Sequence, residues 1–400
     1  MISDVIAAVA LAIWTYLLCA RGGFWLCRER DDTVPAAPPR WPRVAAVVPA
    51  RNEADCIADS IGSLARQDYP GAFSVVLVDD DSVDGTAAVA RGVVESLGSD
   101  RAFKLVESRG VTPGWTGKLW AVHQGVEAAN AMPESPDYLL LTDADIVHEP
   151  DSVRALVARA ESGGFVLTSL MAKLRCESPP ERSHVPAFVY FFQMLYPFAW
   201  VNDPDRAVAA AAGGCMLVRA DALRQAGGIQ SIRGALIDDC SLGARLKAVG
   251  PIWLGLTDRV RSIRRYDGWG DVRAMVSRSA YAQLNYSPLF LLGATLGMAL
   301  TFLAAPLLTV FGDGFARAAG VAAWALMALS FLPMVRFYRV SPLWAPALPA
   351  VALAYMLYTL DSACRYARGQ GGQWKGRAQA NASRHNASGQ SASGAKISGS

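Results

Sequence analysis

The chain has 400 residues, of which 52% are hydrophobic and only 18% are charged, below the roughly 25% of charged residues usual in soluble domains. This balance excludes a disordered chain and indicates that part of the molecule contacts a membrane. The formal net charge of +3 excludes the strongly basic surface of a nucleic-acid-binding protein, and the seven cysteines form no C-x-x-C pair, which argues against a disulfide framework and indicates a reducing compartment.

The first apolar segment, Val5–Ala20, predicts a membrane anchor helix within residues 1–24. A cleaved signal peptide would need a basic start and an A-x-A cleavage site, and neither is present, so the sequence favours an uncleaved signal anchor. No Lys or Arg precedes the segment, whereas five arginines follow it within 23 residues: Arg21, Arg28, Arg30, Arg40 and Arg43. The positive-inside rule therefore places the polar part of the chain in the cytoplasm.

Residues 41–285 alternate between short apolar runs and amphipathic stretches, a pattern typical of an α/β domain. Buried strands and helices are predicted in alternation: strands at Val44–Pro49, Val75–Asp79 and Tyr138–Thr142, and helices at Ala54–Arg66, Thr86–Ser96 and Asp151–Ala160. This repetition implies right-handed crossovers, so we expect a doubly wound, mostly parallel sheet with helices on both faces. Ligands of such sheets bind beyond the carboxyl ends of the strands, which is where the polar clusters of this domain lie.

The first two polar clusters follow the first two predicted strands. Pro49–Glu53 (PARNE) could be no more than a polar turn with one side chain capping the next helix. In Asp79–Thr86 (DDDSVDGT), capping explains Ser82 or Asp84 but not three adjacent carboxylates. Because like charges repel, such a run needs donors or a cation, and a nucleobase N–H and ribose hydroxyls are suitable donors.

The third cluster, Asp143-Ala144-Asp145, places two carboxylates at the end of a buried strand. A D-x-D triplet alone is weak evidence, because the chain contains three of them. The position of this one favours a site: two carboxylates in one crevice can bind Mg²⁺ or Mn²⁺ together with substrate phosphates. A structural turn is the alternative.

A fourth polar region consists of Gly213-Gly214 and the pair Asp238-Asp239, which opens an amphipathic stretch. The two acids could stabilise a helix N-terminus through its dipole, or one of them could act as a general base, and the segment alone favours neither. Cys215 and Cys240 are poor candidates for a thiol nucleophile, because no histidine lies near them in the sequence.

The charge deficit is concentrated in residues 287–361, where only five of 75 side chains are charged. This block contains three segments of spanning length: Pro288–Phe311, Ala318–Val335 and Pro342–Leu360. Three crossings would leave the basic juxtamembrane residues 362–377 outside, against the positive-inside rule, so the proline-rich third segment could instead re-enter the membrane or lie in its interface. Residues 378–400 are rich in Ser, Ala, Gly and Asn, and we expect them to be disordered.

Seven motifs occur in the order and spacing of membrane-bound family 2 glycosyltransferases, which the chain resembles over nearly its whole length apart from the tail. The motifs are VVPARNE, VDDDSVDGT, GWTGK, TDAD, GGCML, the Asp238-Asp239 pair and WKGR. The resemblance is greatest to the hopanoid-biosynthesis-associated HpnB group and more distant to ceramide glucosyltransferases. It implies the GT-A fold, a UDP-sugar donor and a bound Mg²⁺ or Mn²⁺.

The resemblance implies a nucleotide-sugar pocket formed by seven residues: Pro49, Ala50, Arg51, Glu53, Asp80, Lys118 and Asp143. Within it, Asp80 would accept from the uracil N–H, Lys118 would neutralise phosphate, and Asp143 would reach the ribose or the metal. Asp145 would ligate the metal, and Asp239 would be the general base. The acceptor side would be formed by Gly213, Gly214, Asp238 and Arg278.

Two further features bear on the acceptor. The Q/R-x-x-R-W signature of processive polysaccharide synthases is absent, since Arg264 is followed by Arg265 rather than Trp, and Arg278 would replace its phosphate-binding arginine. This departure favours transfer of a single sugar. The aromatic-rich segment Val185–Val201 suggests an element at the level of the lipid headgroups, with a buried core helix as the alternative.

Together these patterns predict an inverting enzyme of the bacterial inner membrane, multi-pass, with its catalytic domain in the cytoplasm. It would move one sugar from a UDP-sugar to a hydroxyl of a membrane lipid in hopanoid or related glycolipid biosynthesis. A polyprenyl-phosphate sugar transferase and a catalytically inactive nucleotide-sugar-binding membrane protein are the alternatives. The sequence leaves open the sugar, the lipid, the oligomeric state and the choice between Mg²⁺ and Mn²⁺.

Overall fold

In the computed structural model of the chain, residues 1–98 and 101–368 are described in full, together with the backbone of two short paired strands, Gln373–Trp374 and Arg377–Ala378. The centre of the WKGR motif and residues 379–400, which the sequence predicts to be disordered, lie outside the described residues.

The polar domain is built on one mixed sheet whose eight described strands have the order β3-β2-β1-β4-β7-β6-β8-β5. The strands are β1 (Val44–Ala50), β2 (Phe73–Asp79), β3 (Ala102–Glu107), β4 (Tyr138–Thr142), β5 (Ile146–His148), β6 (Leu167–Lys173), β7 (Cys215–Arg219) and β8 (Ile252–Ser262). Strands β1 to β4 run parallel, whereas β7 is antiparallel to both β4 and β6, and β5 is antiparallel to β8. The three predicted strands correspond to β1, β2 and β4 and are confirmed.

Fifteen α-helices lie in the described part of the chain. They are α1 (Ile2–Ala20), α2 (Ile57–Ala65), α3 (Thr86–Leu97), α4 (Gly117–Asn130), α5 (Ser152–Gly163), α6 (Pro179–Leu195), α7 (Phe198–Asn202), α8 (Ala220–Gln225), α9 (Asp238–Lys247), α10 (Trp269–Ser277), α11 (Ala280–Gln283), α12 (Pro288–Met298), α13 (Ala304–Phe311), α14 (Gly314–Phe337) and α15 (Leu348–Ala367). Short 3₁₀ turns occur at Phe24–Leu26, Ile229–Ile232 and Pro342–Ala347, and a π turn at Ala299–Leu303 joins α12 to α13.

Helices cover both faces of the sheet, as the sequence predicts. Because successive strand residues point to opposite faces, Val47 and Val76 belong to one buried apolar layer, whereas Val48 and Leu77 belong to the other. All seven residues of β1 are buried, which explains why its sequence is a continuous apolar run rather than an alternating one. Because β1, β2 and β4 run parallel, their carboxyl ends meet at one edge of the sheet.

Four apolar helical segments are long enough to cross a membrane: Ile2–Ala20, Pro288–Phe311, Gly314–Phe337 and Pro342–Ala367. The helices predicted from the four apolar stretches are confirmed, and the last begins as a 3₁₀ turn because it contains closely spaced prolines. Helix α14 packs along α1, with Ala7 of α1 in contact with the first turns of α14. The two helices therefore run in the same direction, toward the sheet.

The chain after α14 leaves the polar domain and returns to it. At its start, the Lys173 ammonium of the sheet lies 5.8 Å from the ring centre of Tyr338. Midway, the Trp324 indole N–H of α14 donates to the carbonyl of Pro346 at 3.0 Å, so this part lies along the apolar helix. Near its end, Asp361 accepts from Arg273 of α10 at 3.1 Å. Both ends of the segment thus contact the same domain.

The aromatic-rich segment forms α6 and α7 and packs between the sheet and the apolar helices. Tyr190 and Phe198 are completely or almost completely buried, and the Tyr190 hydroxyl shares a hydrogen bond with Ser330 of α14 at 2.6 Å. Leu195 remains half exposed at the end of α6. The aromatic side chains of this segment therefore help to join the polar domain to the apolar helices. For Tyr190 and Phe198, this burial agrees with the alternative prediction of a buried core helix.

Candidate active site

The loops that follow β1 and β2 are hydrogen-bonded to each other. Asn52 and Asp81 both adopt left-handed backbone, with φ of 50° and 57°, so the chain turns sharply after each strand. The Asn52 amide donates to the Ser82 hydroxyl at 3.0 Å. The Arg51 guanidinium donates to the carbonyls of Asp80 and Asp81 and lies 3.7 Å from each of their carboxylates. Arg51 thus supplies a cation to the acidic run, and Asp80 is held buried beneath it.

The same contact between the loops delays the start of α2. The Glu53 amide donates to Thr86 Oγ1 at 2.9 Å, and the Ala54 amide donates to Asp84 Oδ2 at 3.0 Å. Because these amides donate to the loop after β2 rather than to carbonyls of a helix, α2 begins at Ile57, three residues later than the sequence predicts.

Arg264, two residues after the end of β8, joins two predicted site residues. Its guanidinium donates to both carboxylate oxygens of Glu53, at 2.8 and 3.0 Å, and to Asp145 Oδ2 at 2.9 Å. Ser262 adds a further hydrogen bond to Asp145 at 3.1 Å. Burial alone would lower the pKa of Arg264, but the Asp145 and Glu53 carboxylates outweigh it and raise that pKa. Glu53 and Asp145 therefore share one permanent positive charge.

Lys118, in the first turn of α4, joins two more predicted residues. Its ammonium lies 2.9 Å from Asp143 Oδ1 and 3.1 Å from Asp238 Oδ2. Burial alone would lower the pKa of Lys118, but the two carboxylates outweigh it and raise that pKa. The GWTGK motif positions this lysine because the Thr116 hydroxyl accepts from the Leu119 amide and so caps the helix.

Asp239 is held by backbone amides. Its Oδ2 accepts from the Gly213 amide at 3.0 Å, and its Oδ1 accepts from the Cys240 amide at 2.7 Å. Burial, followed by the negative charge of Asp238, raises the pKa of Asp239 to about 6. A Cβ atom at Gly213 would lie 3.4 Å from Asp239 Oδ2 and 3.6 Å from the Lys118 ammonium, so a side chain there would intrude between the acid and the cleft.

A buried polar network supports the glycine pair from behind. The Thr142 hydroxyl donates to the Gly214 carbonyl at 2.7 Å and lies 3.0 Å from His148 Nε2. The other ring nitrogen of His148 lies 3.3 Å from the Ser152 hydroxyl. Burial lowers the pKa of His148 to about 4, so the ring is neutral and serves as a hydrogen-bonding support.

Five predicted residues line one cleft at the carboxyl ends of β1 and β4: Pro49, Lys118, Asp143, Gly213 and Asp238. Asp239 adjoins it through its bond to Gly213, and Asp80 is joined to its rim by donating from its amide to the Ala50 carbonyl at 2.8 Å. Arg278 is exposed directly after α10 and, like Arg51, Glu53 and Asp145, is not among the residues that line this cleft. The structure thus brings these five residues together, with Asp80 and Asp239 beside them, while the role of each predicted residue remains a prediction.

The pair Asp143 and Asp145, called the D-x-D pair below, fits a divalent cation. Among the described residues, neither Asp143 Oδ2 nor Asp145 Oδ1 accepts a hydrogen bond, so each carboxylate keeps one oxygen for an additional ligand. Burial and the charge of Asp145 raise the pKa of Asp143. A bound cation would offset that repulsion, and carboxylate oxygens are the ligands that Mg²⁺ and Mn²⁺ prefer.

Sequence reasoning gave no role to Arg264, Thr142 or His148. The R-S-I-R-R run was visible, but only the fold brings the end of β8 beside Glu53 and Asp145. Thr142 directly precedes the D-x-D pair, so its position at the strand end was available as a signal. Nothing in the sequence around His148 distinguishes it from a solvent-facing histidine.

Comparisons with known proteins agree with this geometry. The sequence model of the family described as "Glycosyltransferase like family 2" matches residues 42–254, more than half of the chain. The chain is similar to N-acetylglucosaminyltransferases of Mesorhizobium japonicum and Azorhizobium caulinodans, with 32% identity over 141 and 140 residues. These matches cover 34% of this chain and 31% and 32% of those proteins, so the chain matches about a third of the length of these curated relatives.

One solved structure resembles nearly the whole chain. The mannosyltransferase PcManGT from Pyrobaculum calidifontis, in complex with GDP-Man and Mn²⁺, has a TM-score of 0.53 and 20% identity, and the alignment covers 89% of this chain and 99% of that one. At this identity the likeness shows the fold alone. The GT-A fold expected from the sequence is confirmed.

Proposed function

Because this chain belongs to glycosyltransferase family 2, we propose that it moves one sugar from a UDP-sugar to a hydroxyl of a membrane lipid, with inversion at the anomeric carbon. The observation that carries the proposal is that Lys118 bridges Asp143 and Asp238 in one cleft, with Asp239 beside it. The similar N-acetylglucosaminyltransferases support N-acetylglucosamine as one sugar to test. A hopanoid or related lipid is the acceptor favoured by the HpnB-like motifs.

The donor would bind along the ends of β1, β2 and β4. Asp80, held by Arg51 and by the Ala50 carbonyl, would accept from the uracil N–H, while Pro49 lines the pocket. Lys118 would turn its positive charge toward the diphosphate. A divalent ion held by the D-x-D pair supplies further positive charge to the departing UDP when it is bound.

Asp239 would accept the proton of the acceptor hydroxyl. As that proton moves to the carboxylate, the acceptor oxygen forms a bond to the anomeric carbon on one face, and the bond from that carbon to the UDP oxygen breaks on the other. A single displacement of this kind inverts the configuration. A base whose pKa lies near 6 is well suited to this step, since it is ionised at neutral pH and still holds a proton strongly enough to accept it.

The apolar helices support a membrane location with the polar domain in the cytoplasm. In this arrangement α1 crosses inward, the continuous α12–α13 segment crosses outward, and α14 crosses inward. The chain from Tyr338 through the 3₁₀ turn to α15 is re-entrant, because both of its ends contact the polar domain. This topology puts Arg336, Arg339 and Arg365 on the cytoplasmic side, in agreement with the positive-inside rule. It removes the conflict that three full crossings create in the sequence.

The test is a transfer assay on membranes that contain the protein. Radiolabelled UDP-N-acetylglucosamine and UDP-glucose are supplied separately, and the extracted lipids are separated before and after mild acid. We expect a labelled, acid-stable glycolipid that is absent with the Asp239→Asn variant and that requires Mg²⁺ or Mn²⁺ after EDTA treatment. An acid-labile product would point to a polyprenyl-phosphate acceptor, and no labelled lipid from any UDP-sugar or acceptor extract would contradict the proposal.

A further inference from the structure

A second cleft lies where the ends of α1 and α14 meet the sheet. It has a volume of about 370 Å³, is open to solvent, and shares no lining residue with the active-site cleft. Arg30, Arg336 and Arg339 line it together with the apolar side chains of Leu26 and Pro333. It is thus a positively charged recess with an apolar wall.

The positive charge of this recess is only partly neutralised. Asp258 forms ion pairs with Arg30, at 3.2 Å, and with Lys173. Both cations also lie against the ring of Phe337, which holds them at the recess. By contrast, Arg336 and Arg339 are exposed and have no acidic partner anywhere in the described part of the chain. Two guanidinium groups therefore remain available to an anion.

The backbone fixes the two unpaired arginines at the end of the apolar helix. Arg336 lies in the last turn of α14, and Arg339 follows in left-handed backbone with φ of 55°, where its amide donates to the Arg336 carbonyl at 2.9 Å. On the opposite side, the chain after α1 is fixed to β8, since the Glu29 carbonyl accepts from the Leu256 amide at 2.8 Å. The recess is therefore formed by elements with a fixed separation.

We propose that this recess binds the phosphate group of an anionic lipid of the inner leaflet. The inference rests on the proposed membrane crossing of α14, which puts the recess at the level of the headgroups. Guanidinium groups bind phosphate through paired N–H donors, and the apolar wall at Leu26 and Pro333 gives the first part of an acyl chain a surface that a free phosphate would not use. The lipid would thereby fasten the ends of α1 and α14 to the sheet.

The proposal is tested on the full chain in nanodiscs. Native mass spectrometry measures how many phospholipids stay bound when nanodiscs contain phosphatidylcholine alone or with phosphatidylglycerol. We expect wild type to retain phosphatidylglycerol, and the Arg336→Gln/Arg339→Gln variant to retain it about tenfold less, since each arginine near a membrane surface contributes to anionic-lipid binding. Arg317→Gln, at the other end of α14, is the matched control and should bind like wild type. Arg336→Lys/Arg339→Lys should recover most of the binding.

Each other result overturns the inference. Equal loss with Arg317→Gln would mean that no specific recess exists. If wild type retains phosphatidylcholine as well as phosphatidylglycerol, the recess does not recognise an anionic lipid. Displacement of the lipid by millimolar glycerol 3-phosphate would identify a soluble phosphate as the ligand. Because the readout needs no sugar transfer, a protein that binds the lipid but transfers no sugar contradicts only the proposed function. Release of the protein from membranes by alkaline carbonate contradicts the crossing itself.

Discussion

The two acidic pairs of the active cleft are neutralised in different ways. In the D-x-D pair each carboxylate faces a side-chain cation, Lys118 at 2.9 Å for one and Arg264 at 2.9 Å for the other. In the second pair, Asp238 lies 3.1 Å from Lys118, whereas Asp239 accepts from two backbone amides and forms no ion pair with a side-chain cation among the described residues. Three acids are thus paired with side-chain cations and one is not.

This difference separates two chemical tasks. A cation beside a carboxylate favours the charged form, and at Asp143 the Lys118 ammonium opposes the rise in pKa that burial causes, which suits an acid that holds a metal or a diphosphate-bound ion. An acid without such a partner, buried and next to another negative charge, holds its proton more strongly, and the pKa of Asp239 is accordingly raised to about 6. The first arrangement suits electrostatic binding of the donor, and the second suits removal of a proton from the acceptor.

The strongest test of this contrast is the Asp239→Asn substitution. The amide cannot accept the acceptor's proton, so we expect turnover to fall by about 10²–10⁴-fold, the range typical of a lost general base. Donor affinity should change little, because the hydrogen bonds of Asp239 are to the Gly213 and Cys240 amides rather than to Lys118, Asp143 or Asp80. Transfer rates are compared with equilibrium binding of the UDP-sugar, measured by calorimetry.

The matched control for that experiment is Asp205→Asn. Asp205 is an exposed aspartate from another D-x-D triplet, and it lies outside the cleft. It should leave both rate and affinity unchanged. If Asp239→Asn transfers sugar at the wild-type rate, another residue is the base and the contrast between the pairs has no catalytic meaning.

Lys118→Gln removes the cation that the two pairs share. Two partly buried carboxylates then lose their partner, so we expect the free energy of unfolding to fall by about 2 kcal/mol and turnover to fall by about 10²-fold. Chemical denaturation measures the first effect, and the transfer assay measures the second. Lys104→Gln, an exposed lysine on β3, is the control and should change neither. Full activity in Lys118→Gln would show that the bridge is only structural.

The sequence predicted the strands and the edge of the sheet where the acids meet, but not the side chains that neutralise those acids. Continuous apolar runs ending in PARNE, DDDSVDGT and TDAD were sufficient for the strands and for the edge where their acids meet, because parallel strands end at the same side of a sheet. The pairing of Arg264 with Asp145, across 119 residues, depends on β5 lying antiparallel to β8 at the sheet edge. Such long-range partners are set by tertiary structure and leave no local pattern.

Arg264→Gln tests whether this arginine competes with the metal. Without the guanidinium, Asp145 and Glu53 lose their shared cation, so a divalent ion gains more electrostatic stabilisation there. We expect Mn²⁺ to bind about tenfold more tightly, measured by electron paramagnetic resonance of free Mn²⁺ without any sugar donor. Arg261→Gln, an exposed arginine near the end of β8 paired with Glu149, is the control. Weaker Mn²⁺ binding in Arg264→Gln would mean that Arg264 orders the site rather than competing for it.

The pH dependence of turnover is the smallest of these effects and the most direct measure of the unpaired acid. The charged form of Asp239 is the one that accepts a proton, and with a pKa near 6 that form decreases about fourfold between pH 7 and pH 5.5. Single-turnover rates should therefore fall about fourfold over this range, while binding of the UDP-sugar, measured at the same pH values, stays constant. In Lys118→Gln the midpoint should move to higher pH, because the lysine's positive charge lowers the pKa of Asp239 in the wild type. A rate that is flat down to pH 5 would show that protonation of Asp239 does not limit turnover, and the distinction between the two pairs would then be one of geometry alone.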